Sequence, residues 1–131
     1  MKIKTAKLTG TALNWAVAKC DNRKVRFGIG GSVEVRGQTE GGNELPDHLD
    51  LWMLWNPSTN WEQGGSIIDR VKGLTQHTWL EANRLESQCE CRIHNYEGDW
   101  VQFGATPLIA AMRCFVASKL GGEVELPEEK T

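Results

Sequence analysis

Two stretches of the 131-residue chain place their apolar residues at helical spacing. Across positions 8–20, Leu8, Ala12, Trp15, Ala16 and Lys19 follow an i, i+3/i+4 stripe, with Leu13 and Val17 beside it, which predicts a helix. Thr9 or Thr11 is placed to cap its start, and Asp21-Asn22 to stop it. Across positions 108–120 only Arg113, Ser118 and Lys119 are clearly polar. Thr106 is a natural N-cap there, Pro107 suits the first helical position, and Gly121-Gly122 supplies the end. A helix so apolar belongs at the centre of the core or beneath a second subunit, so a homodimer or higher homo-oligomer is expected.

Alternation by two marks the strands. Residues 2–7 alternate weakly and predict a short strand. Val25, Phe27 and Ile29 alternate, as do Val33 and Val35, and Gly30-Gly31 between them predicts a hairpin. Residues 49–55, 78–85 and 88–94 are expected strands, and in the last of these Cys89, Cys91 and Ile93 share one face. Residues 65–71 predict one or two helical turns that begin just after Gly64-Gly65. Residues 36–48, with Gly41-Gly42-Asn43 and Pro46, read as a loop long enough to be a lid or an insertion. Glu97-Gly98-Asp99 marks a turn. The order of helix, antiparallel strands and closing helix predicts a small α+β fold, mostly antiparallel sheet with an N-terminal helix and a buried C-terminal helix. The expected domain covers residues 1–122, and residues 123–131, with Pro127, are expected to fray as an acidic tail.

Composition narrows the function classes. A chain that is 40% hydrophobic and 24% charged is ordinary for a soluble globular domain with one core. No apolar run approaches the roughly 20 residues that span a bilayer, and no signal core follows the basic N-terminus, so a cytoplasmic protein away from the membrane is expected. The net charge of −2 argues against duplex DNA as a partner. Residues 1–27 nevertheless carry seven Lys or Arg and one Asp, whereas residues 121–131 carry four Glu and one Lys. Either the two ends are solvated and pair with each other, or the basic end attracts an anionic ligand. Cys20, Cys89, Cys91 and Cys114 are too few for a disulfide framework. Cys89-x-Cys91-x-x-His94 lacks a fourth ligand and the C-x-x-C spacing, so no metal is expected.

The candidate chemistry concentrates between Trp52 and Gly65. Three of the six tryptophans, Trp52, Trp55 and Trp61, flank an Asn56-Pro57-Ser58 break and lead to Gly64-Gly65. Tryptophan has a large apolar face and one donor, which suits a ligand clamp as well as a core. The expected site joins these rings with Asn56, Ser58, Asn60 and Gln63 for polar edges, and with the Gly64 and Gly65 N–H groups for an anion at a helix start. Thr106 and Arg113 complete the set. Arg113 on an apolar helix must find a carboxylate, a backbone carbonyl or an anion. The competing reading is a structured turn whose tryptophans plug the core and a Thr106 that only caps. No Lys follows the glycines, so a P-loop is excluded, and Gly28-x-Gly30-Gly31 lacks the helix a dinucleotide fold needs. No cofactor is expected.

His48, His77 and His94 are the available imidazoles, and neither a nucleophile elbow nor a His-Glu-x-x-His motif is present. Asp47-His48 with Asp50 could serve a small hydrolase as an acid–base pair, but a solvated loop is the favoured reading of these residues.

Two blocks carry a resemblance: Asn56-Pro57-Ser58-Thr59-Asn60-Trp61-Glu62-Gln63-Gly64-Gly65-Ser66-Ile67-Ile68, and Thr106-Pro107-Leu108-Ile109-Ala110-Ala111-Met112-Arg113 running on to Ala117-Ser118-Lys119-Leu120-Gly121. Leu8-Thr9-Gly10 with Leu13-Asn14-Trp15-Ala16-Val17-Ala18-Lys19 adds a third. Together they resemble the NinX-like phage and prophage proteins, a small accessory family. The resemblance implies a phage-encoded cytosolic protein and implies no reaction. The stretch 36–55 departs most from that pattern. The expected function is a non-catalytic binding module for a small polar or nucleotide-like ligand, sequestering a host immune signal as a counter-defence protein. The alternatives are an inhibitor of a host protein through the Trp-rich segment, and a small hydrolase.

Overall fold

The computed structural model describes residues 2–39, 43–46, 48–78 and 89–127. In chain order the elements are β1 (Lys2–Lys4), a 3-10 turn (Thr5–Lys7), α1 (Gly10–Cys20), β2 (Val25–Phe27), β3 (Val33–Arg36), β4 (Trp52–Leu54) and α2 (Trp61–Arg70). They continue as β5 (Leu74–Thr78), β6 (Cys89–Asn95), β7 (Gly98–Gly104), α3 (Pro107–Leu120) and β8 (Glu123–Glu125). The strands form three antiparallel sheets, ordered β1-β8, β2-β3-β4 and β5-β6-β7. This is the α+β architecture that the alternation of periods predicts.

The apolar helix α3 is the centre of the core. Leu108, Met112, Phe115 and Val116 are buried, as are Ala110, Ala111, Cys114 and Ala117. One side packs on β6 and β7, and α1 and α2 pack elsewhere on the same helix. Its apolarity is therefore accounted for within one chain and carries no argument for a second subunit. From β6, Cys89, Cys91 and Ile93 point into this core on one face, as alternation predicts, while His94 is exposed.

The two ends of the described chain close on each other. In β1 and β8, Lys2 faces Glu125, Lys4 faces Glu123, and Ile3 faces Val124. Opposite charges directly across a strand pair add modestly to it. Val124 and Leu126 are buried, and Thr5 donates through Oγ1 to the Gly121 carbonyl at 2.6 Å. The acidic segment expected to fray from residue 123 thus begins as a strand of the fold. Its Val124 and Leu126 reach the core, so the folded unit extends beyond residue 122.

Four other elements differ from expectation. The strand expected over 2–7 is cut at Lys4 by the 3-10 turn. The strand expected over 49–55 shrinks to Trp52–Leu54. The helix expected after Gly64-Gly65 begins at Trp61 and contains both glycines. No strand was expected where β7 lies. The strand expected over 78–85 meets β5 at Thr78, and its remainder lies outside the described residues.

Candidate functional site

The turn after β4 uses most of its polar groups internally. The Asn60 side-chain oxygen accepts from the Glu62 and Gln63 N–H groups at 2.9 and 3.2 Å. This cap is why α2 starts at Trp61. The Gly64 N–H in turn donates to the Asn60 carbonyl at 2.9 Å. Gln63 reaches back to β4: its Nε2 donates to the Leu54 carbonyl at 2.8 Å and its Oε1 accepts from the Asn56 N–H at 2.7 Å. Ser58 is buried and donates to Asn14 Oδ1 through its N–H at 3.1 Å and its hydroxyl at 2.8 Å. Gly64 packs so closely that a Cβ would overlap the Pro57 carbonyl oxygen and lie 2.5 Å from Leu108 Cδ1. At Gly65 the nearest atom, Trp61 Cε3, is 4.0 Å away.

The three tryptophans of the segment part company. Trp55 is buried, with the Arg23 guanidinium 5.1 Å from its ring centre. Trp52 is half-buried on the outer face of its sheet, stacked by Arg26 at 4.2 Å, and its Nε1 donates to Asp50 Oδ1 at 2.8 Å. Trp61 opens α2 with 58% of its surface exposed. The same Asp50 oxygen accepts from Arg36 at 3.0 Å, and Arg36 also donates to the Leu45 and Pro46 carbonyls. Arg36 thus ties down part of the loop expected over 36–48. His48 is exposed, and Asp47 lies outside the described residues.

Thr106 caps α3, accepting from the Ile109 N–H at 3.1 Å. Of the three partners open to Arg113, the chain supplies carbonyls: Nε donates to Leu8 at 2.8 Å and Nη1 to Phe103 at 2.7 Å. Burial lowers the guanidinium pKa from its ordinary value.

A partly enclosed concavity lies elsewhere, where α1, α2 and α3 end beside the β6–β7 hairpin. It encloses about 460 Å³. Ile67, Ile93 and Phe115 are buried at its floor, and Trp100 forms part of the wall. A Cβ on Gly98 would lie 2.7 Å from the Trp100 ring, so glycine lets that ring rest against the hairpin. Arg70, Lys72 and Lys119 stand at the rim with Asp21 and Glu97. Arg70 pairs with Asp21 at 2.8 Å, which joins the ends of α1 and α2. Basic residues suit this position, because helix C-termini carry partial negative charge. Tyr96, at the hairpin tip, is 95% exposed.

Cysteine chemistry in the cleft is subdued. Cys20 lines it, and burial pushes its thiol up to about 12, with Lys119 pulling the other way. In the core, Cys91 and Cys114 hydrogen-bond to each other. That bond is the main cause raising the Cys91 thiol and lowering that of Cys114.

Reading the chain did not find the cleft. Asp21, Arg70, Trp100 and Lys119 come from four separated segments, and no local spacing joins them.

No curated protein gives a significant match to the chain. A family model described as Bacteriophage P22, NinX, matches residues 4–119. That span includes two of the three sequence blocks whole and the block from Thr106 as far as Lys119, together with α1, α2 and nearly all of α3, and the chain belongs to the phage NinX family.

Proposed function

We propose that this phage protein is a non-catalytic binding module that holds a small polar or nucleotide-like ligand in the cleft at the helix ends. One observation carries the reading: a concavity of about 460 Å³ with an apolar floor and a rim of charged groups of both signs, Arg70, Lys72 and Lys119 with Asp21 and Glu97. Pockets of roughly 300–1,000 Å³ with a few convergent polar groups suit small ligands. In the host cytoplasm such a module would serve counter-defence by sequestering a host signal. Among the described residues, no helix is long and apolar enough to cross a membrane. Native mass spectrometry of the purified chain, followed by calorimetric titration with small phosphorylated compounds, tests the reading. A co-purifying or titrating small molecule supports it. A ligand-free chain that gives no heat with any of them removes it.

A second reading rests on a different surface. Leu51, Leu54 and Trp61 are each 58% exposed, and Met53 is 49% exposed. Exposed apolar side chains with an aromatic residue among them suit contact with a host protein. Capture of one specific host protein, lost on Trp61→Ala while the fold is kept, would favour this reading over the first.

A further inference from the structure

Resting on the reading that the cleft binds a small ligand, we infer that Tyr96 and Trp100 form an aromatic clamp that selects a ligand with a planar, unsaturated ring. Both residues line the cleft and both belong to the β6–β7 hairpin, Tyr96 in its two-residue tip and Trp100 on β7. The two rings are held differently. Trp100 lies over Gly98, where a Cβ would stand 2.7 Å from its Cη2 and 2.8 Å from its Cζ2. The six-membered end of the indole therefore leans along the hairpin toward the tip, in space that a side chain at 98 would fill. Tyr96 is 95% exposed, so its ring packs against almost nothing. The backbone beneath that ring is nevertheless tied down. Asn95 Oδ1 accepts from the Glu97 N–H at 2.9 Å, and Asn95 Nδ2 donates to the Lys72 carbonyl at 3.3 Å. Asn95 makes the turn, and nothing in the turn calls for an aromatic ring at position 96. One jaw is thus fixed by packing. The other has only its side-chain torsions to order, a small entropic cost for a large contact area. A flat ring stacks against such a pair, whereas a puckered saturated ring of the same size presents C–H bonds and loses the offset stacking. The rim charges, which are of both signs, play no part in this selection.

The test titrates the full chain with a neutral matched pair, 2-naphthol and decahydro-2-naphthol. Tyr96 is the only tyrosine, so labelling with 3-fluorotyrosine gives one fluorine resonance that reports on its ring alone. The flat compound should bind about three- to tenfold more tightly than its more apolar saturated counterpart, and should shift that resonance. Tyr96→Ala should abolish the preference and Tyr96→Phe should keep it, with the urea midpoint of both variants unchanged because the side chain is exposed. Equal affinities, tighter binding of the saturated compound, or a preference that survives Tyr96→Ala would overturn the clamp without touching the reading of the cleft. Binding of neither compound also overturns the clamp, and native mass spectrometry of the same chain then decides separately whether the cleft reading stands.

Discussion

Asn14 of α1 holds Ser58 of the Asn-Pro-Ser turn through one oxygen that accepts both the Ser58 N–H and its hydroxyl, and both residues are buried. This link joins two of the sequence blocks across 44 residues. Replacing Asn14 by Ala leaves two buried donors without their acceptor, at a cost of about 2–4 kcal/mol. Ser58→Ala keeps the backbone bond and should cost only about 1 kcal/mol. Urea unfolding checks the order: the midpoint should fall further for Asn14→Ala, with the slope unchanged in both.

The adjacent glycines of α2 should respond with opposite sign. Gly64→Ala drives a methyl group into the Pro57 carbonyl and Leu108, and should destabilise the chain by about 1–3 kcal/mol. Gly65→Ala meets nothing closer than Trp61 at 4.0 Å. It should raise the melting temperature, because alanine favours a helix over glycine by up to about 1 kcal/mol. Melting temperatures that fall equally for both would contradict the packing described at Gly64.

Three helix starts offer an internal comparison. Asn60 and Thr106 each accept backbone N–H bonds at the start of their helices, whereas Thr9 makes no such bond before α1. Alanine at 60 or 106 should each cost about 1 kcal/mol, and alanine at 9 much less. Chemical denaturation of the three single variants resolves the difference.

Cys20 gives the fold an alkaline sensitivity. Its thiol is raised from 9.0 to about 12 in the folded chain, so the unfolded chain releases this proton first as pH rises. The stabilisation is complete below pH 9 and is lost progressively as pH climbs toward 12. Cys20→Ala should flatten the fall in stability across that window relative to the parent, as measured by denaturant midpoints at successive pH values. For the same reason, thiol reagents should modify native Cys20 slowly at pH 8 and quickly after unfolding.

How far the chain could be read depended on whether a signal was local. Thr106-Pro107 and Gly121 bracket α3 because capping chemistry is written in adjacent residues, and Gly30-Gly31 marks the β2–β3 hairpin for the same reason. The start of α2 was obscured because two glycines oppose a helix, and only the packing of Gly64 against Leu108 explains why one is needed there. Strand β8 was hidden in an acidic tail because its partner lies at the opposite end of the described chain. The residues expected to form a site were mostly legible as a turn: Asn60, Gln63, Ser58 and Thr106 satisfy neighbouring groups. The cleft was illegible, since helix ends from three regions assemble it.

Gln63 also has a consequence for how copies of the chain meet. An edge strand invites another strand through its outward carbonyls and N–H groups, and apolar flanks such as Leu51, Met53 and Leu54 increase the hazard. On the side of β4 away from β3, one amide side chain already occupies the Leu54 carbonyl and the Asn56 N–H, as a passing strand would. An incoming chain finds that register taken. A single glutamine therefore withdraws two outward backbone groups of this edge strand, beside exposed Leu51 and Leu54, from pairing with another chain.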